Sequence, residues 1–287
     1  MKVGIIGGGK VGSCLAEYLK AVGQLGAITG SSAEHSKELA EKFAVAYCDN
    51  NKLVELNDVI LITVPDRSIG TVTQAIAKEN ISLQKKIFLH CSGSLGLEPL
   101  ACLKDCGAFV GSLHPLQSFA GGAADLKGVY MAIDGDSAAL TAAEQLVQIF
   151  GGVSFRVPAA ERAAYHAAAC ICSNYAVTVE ALAQKLMSRW TDSDEAAWQA
   201  LLPLFKGTAA NLLGTKNPGA VLTGPIARGD GATVSKHLEV IPKELTNVYC
   251  SLGMAAVHLA LTNGTIDWET KQQLEELLGQ SEVKNDR

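Results

Sequence analysis

The glycines that follow the first apolar run constrain the fold of this chain most. Residues 2–6 read Lys-Val-Gly-Ile-Ile, and residues 7–12 read Gly-Gly-Gly-Lys-Val-Gly, which fits the pattern G-x-G-x-x-G between a strand and a helix. In this pattern the first glycine permits a tight turn, the second lets the backbone approach a pyrophosphate, and the third lets the helix pack on the strand. The helix N-terminus adds N–H groups and partial positive charge. We therefore predict a dinucleotide site formed by Gly7, Gly8, Gly9, Lys10, Val11 and Gly12.

The rest of the chain has two regions that differ in their hydrophobic pattern. Up to about Val157, short apolar runs alternate with segments of helical period, which predicts an α/β fold with a doubly wound, mostly parallel sheet. After Pro158 the sequence is rich in alanine and leucine and keeps a helical period to about Leu278. We expect a Rossmann domain at residues 1–157 and an all-helical domain for substrate binding and dimerisation at residues 158–287. Strands are predicted at residues 2–6, 25–29, 45–48, 59–64, 87–90, 108–112, 129–133 and 153–157.

Composition excludes several partners. The net charge of −5 comes without any block of lysines or arginines, which argues against nucleic acid. The most apolar long stretch, residues 159–183, is interrupted by charged and polar residues, so it is not predicted to span a membrane. The eight cysteines lack metal-site or redox-motif spacing and are expected to be free thiols. The chain also enters a strand at once, with no export signal, so we expect a cytoplasmic protein that binds a small molecule and no metal.

The end of the second predicted strand bears on cofactor choice. Proteins selective for NAD usually place an Asp or Glu there, which accepts a hydrogen bond from the ribose 2′-hydroxyl. Here residues 29–32 read Thr-Gly-Ser-Ser, so no carboxylate would repel a 2′-phosphate. Ser31 and Ser32, with His35 or Lys37 nearby, are candidates to bind that phosphate, and NADP is favoured over NAD. The alternative is a serine-rich turn that caps the next helix.

Ligands bind at the carboxyl ends of the strands in a doubly wound sheet, so the residues that follow each strand are site candidates. Two histidines lie at strand ends, His90 as the last residue of one predicted strand and His114 two residues after another, and we expect His90 to be structural. Cofactor contacts are predicted at Val64, Pro65 and Asp66, of which Val64 and Pro65 would form an apolar wall for the nicotinamide. A polar substrate is expected to meet Ser92, Ser94, His114 and Gln117.

Four segments together carry a family resemblance: residues 7–12, 90–94 (His-Cys-Ser-Gly-Ser), 112–119 (Ser-Leu-His-Pro-Leu-Gln-Ser-Phe) and 223–230 (Thr-Gly-Pro-Ile-Ala-Arg-Gly-Asp). Over nearly its whole length the chain resembles predicted oxidoreductases that join a Rossmann-like domain to a helical C-terminal domain of unknown function. That family is similar in architecture to ketopantoate reductase, pyrroline-5-carboxylate reductase, prephenate dehydrogenase and the 6-phosphogluconate dehydrogenase superfamily. Because related folds commonly dimerise through the helical domain, the resemblance implies a homodimer.

The relatives imply two sets of catalytic residues. Prephenate dehydrogenases carry Gly-Ser and, about twenty residues later, Gly-x-His-Pro; the counterparts here make His114 the proton-handling residue. Ketopantoate reductase carries Lys-x-x-x-Asn on a long helix, which matches Asn174, although Cys170 stands where the lysine would be. His166 lies one helical turn earlier, so residues 166, 170 and 174 are expected on one ridge. The alternative for both histidines is a core position with hydrogen bonds to the backbone.

Arg228 lies in the segment 224–230, between predicted helices, where a guanidinium can clamp a carboxylate with two hydrogen bonds. The alternative is an ion pair with Asp230 that fixes the loop, and both can hold at once. If Arg228 binds the substrate, the substrate is a small organic acid.

The function expected from these residues is an NADP-dependent reductase or dehydrogenase that acts on a small oxo or hydroxy acid, with chemistry like that of ketopantoate reductase. His114 or His166 would exchange the proton, for which an ordinary histidine pKa of about 6.5 is suitable. Ser94 and Asn174 would position the substrate oxygen. Alternatives are an oxidation like that of prephenate dehydrogenase and a non-catalytic NADP(H) sensor. A zinc hydrolase that uses the histidines at 90, 114 and 166 is disfavoured, because no two-histidine helix motif accompanies them.

Overall fold

The structure is a computed structural model and describes residues 1–120 and 124–283. The chain divides into two compact units, Met1–Ala176 and a second that begins at Val177. The first unit continues past residue 157, so it includes the helix that follows Pro158 as well as the sheet. The domain boundary expected at residues 157/158 stays a prediction.

Seven strands form one sheet in the described part of the first unit, in the order β2-β1-β3-β4-β5-β6-β7. Strands β1 to β5 run parallel, β6 is antiparallel to β5, and β7 is parallel to β6. The expected α/β class and mostly parallel sheet are therefore confirmed. The strands are β1 (Val3–Ile6), β2 (Leu25–Thr29), β3 (Val59–Ile62), β4 (Ile87–His90), β5 (Phe109–Pro115), β6 (Tyr130–Gly135) and β7 (Val153–Arg156).

The central strands are apolar on both faces because helices cover both sides of the sheet. All four residues of β3 are buried. Val59 and Leu61 belong to one apolar cluster, whereas Ile60 and Ile62 belong to the other. This alternation follows from the two-residue period of a strand and accounts for an unbroken apolar run.

Seven α-helices are described in the first unit, and they lie between or after its strands. They are α1 (Lys10–Ala21), α2 (Ala33–Phe43), α3 (Asn50–Leu56), α4 (Asp66–Lys78), α5 (Ala101–Asp105), α6 (Ser137–Ile149) and α7 (Arg162–Cys170). A π-helical turn, Ile171–Tyr175, follows α7 directly.

The strand predicted at residues 45–48 is wrong. Ala44 ends α2 in the left-handed conformation (φ 49°), and the N–H of Val45 donates to the carbonyl of Ala40. Asp49 then caps α3 by accepting from the N–H of Lys52. Cys48 is buried between the two helices, so the apolar residues of this segment reflect packing without strand pairing.

Strand β5 is longer than expected, and this matters for the site. It continues beyond residue 112 to Pro115, because residues 111–115 pair with the antiparallel β6, where His114 lies opposite Ala132. His114 is therefore held by a strand at the carboxyl edge of the sheet.

The described residues of the second unit form helices and turns, as expected for an all-helical region. Its apolar core joins α10, α11 and α12 through buried residues that include Val234, Cys250, Val257 and Leu274. The helix α11 is long and apolar enough to cross a membrane by length and composition alone, which is weak evidence because a core helix passes the same test. The helices are α8 (Ala176–Met187), α9 (Asp194–Leu213), α10 (Gly231–Val240), α11 (Lys243–Thr262) and α12 (Trp268–Val283).

Candidate functional site

The glycine turn after β1 has the geometry that the sequence pattern requires. Gly7 has a φ of +116°, which L side chains rarely adopt, and its N–H donates to the carbonyl of Thr29 at 3.0 Å. Its carbonyl accepts from the Thr63 hydroxyl at 2.6 Å. A Cβ atom at Gly12 would lie 1.9 Å from the Gly7 carbonyl oxygen, so α1 can pack here only with glycine at that position.

The N-terminus of α1 fits an anionic ligand. Gly9 precedes the helix and provides no side-chain cap, and the first turn of α1 contains no acidic residue. A Cβ atom at Gly9 would meet no described atom within 4 Å, so the backbone is open to a close approach. The free N–H groups of the first turn and the helix dipole both favour a phosphate here. The residues present therefore fit a dinucleotide pyrophosphate.

The other motif residues support this turn. Gly8 packs against Leu39, because a Cβ atom at position 8 would lie 2.0 Å from Leu39 Cδ1. The Lys10 ammonium donates to the carbonyl of Ala120 at 2.7 Å, and Val11 packs against the core. These contacts hold the turn in place beside the open backbone of Gly9.

At the end of β2, one serine caps a helix and the other is free. The Ser32 hydroxyl oxygen accepts from the N–H of His35 at 3.1 Å, so Ser32 has the capping role considered as the alternative. Ser31 is exposed, and no partner for its side chain is found within residues 1–120 and 124–283. The His35 ring lies between the backbones of Gly8 and Gly30. The ammonium of Lys37 is 5.6 Å from the ring centre of Tyr47.

A hydroxyl and carboxylate cluster follows β3 and β4. Pro65 precedes α4, and Asp66 is its first residue. Oδ2 of Asp66 accepts from the hydroxyls of Ser92 and Ser94 at 2.7 and 2.9 Å. The Ser92 oxygen also accepts from the backbone N–H groups of residues 94 and 95. Asp66, Ser92 and Ser94, predicted as separate cofactor and substrate contacts, therefore form one hydrogen-bonded group beyond the sheet edge, with Val64 next to it in the chain.

His90 is a structural residue of this turn. Its Nε2 lies 2.8 Å from the Gly96 carbonyl oxygen, and its Nδ1 accepts from the N–H of Ser92 at 3.2 Å. Complete burial lowers the pKa of His90 to about 4, so the ring is neutral. Because both nitrogens are engaged, His90 is not available to a metal, and the described residues contain no group of three or more potential metal ligands.

His114 is held by a residue that the sequence analysis missed. Its Nδ1 lies 2.7 Å from the hydroxyl oxygen of Tyr165, and the two rings meet edge to face. Burial, followed by the nearby His166 and Arg162, lowers the pKa of His114 to about 4. Burial also raises the pKa of Tyr165 to about 12. The expectation of a histidine that titrates near pH 6.5 does not hold for His114, because desolvation disfavours its charged form.

The second predicted histidine meets the first beside Gly93. The ring centres of His114 and His166 are 6.0 Å apart. A Cβ atom at Gly93 would lie 2.7 Å from Nδ1 of His166 and 2.8 Å from Nε2 of His114, so both nitrogens converge on this glycine. Nδ1 of His166 is buried and has no hydrogen-bond partner within the described chain. A buried nitrogen of this kind is costly unless a ligand or water satisfies it.

Arg162 is the other residue that the sequence analysis missed. Its side chain is only 1% exposed, and its guanidinium donates to the Ser112 hydroxyl and, at 3.5 Å, to the Ser92 carbonyl. Within the described residues Arg162 forms no salt bridge; burial lowers its pKa, whereas the Asp134 carboxylate, which pairs with Arg156 at 3.6 Å, raises it. Arg162, Tyr165 and His166 are spaced i, i+3 and i+4, so they share one face of α7. This spacing, shortly after Pro158, is the sequence signal from which Arg162 and Tyr165 could have been predicted as site residues.

Two other predicted residues, Asn174 and Gln117, belong to the first unit. Asn174 is exposed in the π-helical turn, whose i→i+5 bonding interrupts the expected ridge after Cys170. The Gln117 amide donates to the Asp125 carbonyl and accepts from the N–H of Ser118, so its side chain stabilises its own loop.

Arg228 lies in the second unit and is exposed at the end of a 3₁₀ turn, Ile226–Arg228. The ion pair with Asp230 is not formed: the Asp230 carboxylate instead accepts from the N–H and hydroxyl of Thr233 and caps α10. These hydrogen bonds lower the pKa of Asp230.

Two family models match the chain. A Rossmann-like domain matches residues 1–115, and a domain of unknown function, DUF2520, matches residues 129–256. The chain joins a Rossmann-like domain to a DUF2520 domain. The candidate site draws on both, because His114 lies in the Rossmann-like match and α7 in the DUF2520 match. No curated protein matches the sequence.

Solved structures share the architecture over nearly the whole length of this Rossmann-like and DUF2520 chain. BF3122 of Bacteroides fragilis, a candidate NADP oxidoreductase, is 20% identical with a TM-score of 0.67, over 100% of this chain and 98% of its own. TM1727 of Thermotoga maritima is 26% identical with a TM-score of 0.63, over 98% and 99%. The 1-pyrroline-5-carboxylate reductase of Streptococcus pyogenes is 17% identical with a TM-score of 0.58, over 99% and 98%. These likenesses establish the shared fold.

Proposed function

We propose that this protein is an NADP-dependent oxidoreductase that transfers a hydride between the nicotinamide and a small oxo or hydroxy acid. One observation carries the proposal: the open glycine turn after β1 and the nitrogens that converge on Gly93 lie at the same edge of one sheet. The strands β1, β4 and β5 are parallel, so the residues at their carboxyl ends share that edge, where doubly wound sheets bind ligands.

The residues for a dinucleotide follow the strands in sequence across this edge. The backbone of Gly7–Gly12 would hold the pyrophosphate, Ser31 and His35 the 2′-phosphate, and Val64 and Pro65 would border the nicotinamide. The absence of a carboxylate at residues 29–32 favours NADP over NAD. The likeness to a candidate NADP oxidoreductase supports the same assignment. When bound in reduced form, the cofactor supplies a hydride to the substrate carbon.

The chain itself must orient the substrate and handle a proton at its oxygen. His114 is neutral above about pH 4, so it serves as a hydrogen-bond donor to a carbonyl oxygen and gives up a proton as the oxygen becomes an alkoxide. His166 offers its unpartnered Nδ1 to the same substrate. Ser94, Asn174 and Gln117 are still only predicted to orient the substrate.

The preference for an acid rests on positive charge. Arg162 brings a guanidinium without a contacting carboxylate beneath the ends of β4 and β5, where it favours negative charge developing in the substrate. Because the Arg162 side chain is buried, it would act on the substrate through its electrostatic field and through its hydrogen bonds to Ser92 and Ser112. Binding of a substrate carboxylate by Arg228 stays a prediction from the sequence.

Calorimetric titration of the purified protein with NADPH and, separately, NADH tests the cofactor step. We expect micromolar or tighter binding and a preference for NADPH, followed by NADPH oxidation with at least one member of a panel of small 2-oxo acids. Failure to bind either cofactor would overturn the proposal. Tight binding without turnover across the panel would instead support a non-catalytic NADP(H) sensor.

A second candidate, oxidation with decarboxylation as in prephenate dehydrogenase, is supported by the contact between Gly93 and the His114 ring. It predicts NADP reduction and release of CO₂ with prephenate, and no NADPH oxidation with the oxo acids. Measuring both reactions under one set of conditions separates the two enzymes.

We further propose a cytoplasmic homodimer. In support, α8 and α9 carry exposed apolar side chains, including Val177, Leu204 and Leu213, which are 70%, 70% and 89% exposed. Light scattering after size-exclusion chromatography tests this assembly, and a monomer at micromolar concentration would contradict it.

A further inference from the structure

We propose that Tyr165 is a positioning residue of the reaction: its hydroxyl fixes His114 in the tautomer that carries the proton on Nε2 and replaces that proton during turnover. This inference rests on the proposed function, because it assigns the proton path at the same site. It starts from the contact of 2.7 Å between the Tyr165 oxygen and Nδ1 of His114.

The direction of this hydrogen bond follows from the groups available. If Nδ1 carried the proton and donated to Tyr165, the half-buried phenol hydrogen would need another acceptor. None is found for it within residues 1–120 and 124–283. If Tyr165 donates to Nδ1, both groups are satisfied, and the proton of a neutral His114 must be on Nε2. The contact therefore selects one tautomer.

The Nε2–H group lies beside Gly93. Nε2 of His114 and the buried, unpartnered Nδ1 of His166 converge at this glycine, where an added Cβ atom would lie 2.8 and 2.7 Å from them. A substrate oxygen bound near Gly93 can contact both rings. By its contact with Nδ1, Tyr165 thus determines that the substrate oxygen meets a protonated Nε2 of His114.

The phenol is held in place from two sides. Arg162, one turn earlier in α7, anchors the helix to the strand ends through Ser92 and Ser112. The Phe155 ring of β7 packs edge to face on Tyr165, with ring centres 5.8 Å apart. These contacts restrict the rotamer of Tyr165, so the short distance to His114 does not depend on a freely rotating side chain.

The proton count of the proposed step is balanced. A bound reduced nicotinamide would supply the hydride to the carbonyl carbon, and the C=O π electrons would move to the oxygen. That oxygen takes the Nε2 proton of His114, while Nδ1 takes the phenol proton of Tyr165. The resulting phenolate regains a proton from water after product release. The positive charge of Arg162 favours the transient phenolate.

Four groups around this pair influence its ionisation. His166 and Arg162 disfavour a positive charge on His114, as does His90, whereas the Asp66 carboxylate favours it. Tyr165 touches the ring directly. Since the neutral forms of both partners persist from about pH 4 to about pH 12, the tautomer should not change across the physiological range.

Ring ¹⁵N NMR of the cofactor-free protein, labelled at histidine, tests the tautomer without any turnover. We expect the His114 ring, assigned with His114→Gln, to be protonated on Nε2 and to accept at Nδ1. In Tyr165→Phe the ring should become a mixture of tautomers. A wild-type ring protonated on Nδ1, or ring signals that Tyr165→Phe leaves unchanged, would overturn the inference.

The chain offers a matched control. In the second unit, Nδ1 of His237 lies 2.8 Å from the Tyr249 hydroxyl, and the rings meet edge to face as in the first pair. Tyr249→Phe removes the same kind of hydrogen bond and should change only the His237 signals.

Steady-state kinetics with the active oxo acid then test the step. Tyr165→Phe should lower kcat by roughly tenfold to a hundredfold, with KM within about threefold and unchanged NADPH binding. Tyr249→Phe should retain the wild-type kcat. An unaltered kcat in Tyr165→Phe would overturn the role in turnover. A wild-type protein that reduces no carbonyl would instead contradict the proposed function, and the NMR result would still decide the tautomer.

Discussion

Gly93 lies so close to His166 that a Cβ atom at position 93 would be 2.7 Å from Nδ1 of that histidine. Real Cβ contacts are never this short, so Gly93→Ala must displace His166, and His114 with it. Because the glycine turn after β1 is not involved, we expect NADPH affinity within about twofold of wild type and a loss of roughly a hundredfold in kcat. Titration calorimetry and steady-state kinetics measure the two effects.

Gly70→Ala is the control for this substitution. Gly70 lies within α4 of the same unit, where an added Cβ meets no described atom within 4 Å, so alanine should be tolerated or slightly stabilising. Equal activity of Gly93→Ala and wild type would show that the two histidines do not act at this point.

Two glycines of the turn after β1 should respond differently to alanine. A Cβ atom at Gly9 meets open space, whereas one at Gly12 would lie 1.9 Å from the Gly7 carbonyl oxygen. Gly9→Ala should therefore keep the wild-type Tm and weaken NADPH binding by tenfold or more, because the methyl group occupies the approach of the pyrophosphate. Gly12→Ala should lower Tm by several degrees. Thermal unfolding and calorimetry distinguish these cases, and normal NADPH binding by Gly9→Ala would place the pyrophosphate elsewhere.

The two serines after β2 should separate cofactor choice from helix capping. Ser31→Asp places a carboxylate where no side-chain hydrogen bond is lost, so it should weaken NADPH binding by tenfold or more and leave NADH binding equal or improved. Ser32→Ala removes the cap of α2 and should cost about 1 kcal/mol of stability. Calorimetry with both cofactors and urea unfolding provide the readouts. Unchanged NADPH affinity in Ser31→Asp would contradict the proposed 2′-phosphate contact.

The protein should lose stability as the pH falls from about 6.5 to about 4. Burial lowers the pKa of His90 and of His114 from 6.5 to about 4, so the unfolded chain binds more protons than the folded protein in this window. The free energy of unfolding is then full above pH 6.5 and decreases on acidification, by up to about 1.4 kcal/mol per pH unit for each histidine. Urea unfolding at several pH values measures the slope.

His90→Gln should remove the share of one histidine from this slope, although the substitution also lowers stability at neutral pH by breaking the contacts with Gly96 and Ser92. His258→Gln is the control, because that side chain is 62% exposed. A slope that His90→Gln leaves unaltered would show that this histidine does not stay neutral in the folded protein.

Local signals gave much of this fold. The glycine spacing identified the turn after β1. Unbroken apolar runs identified β3 and its neighbours, because strands in the core of a parallel sheet are buried on both faces and consecutive residues are therefore apolar. The strand predicted at residues 45–48 is wrong for a related reason: burial between two helices selects the same apolar residues as strand pairing does.

The site shows where such signals end. The sequence by itself determined that histidines stand at the end of β4 and near the end of β5, and that His166 lies in the helix after Pro158, since these follow from position along the chain. Only the tertiary structure decided that both ring nitrogens of His90 are hydrogen-bonded within its own turn. It also decided that Tyr165 holds His114 and that Arg162 lies buried beneath two strand ends. For Tyr165 and Arg162 the reason is physical: their pairing depends on residues about 50 to 70 positions apart in sequence, and no local pattern records them.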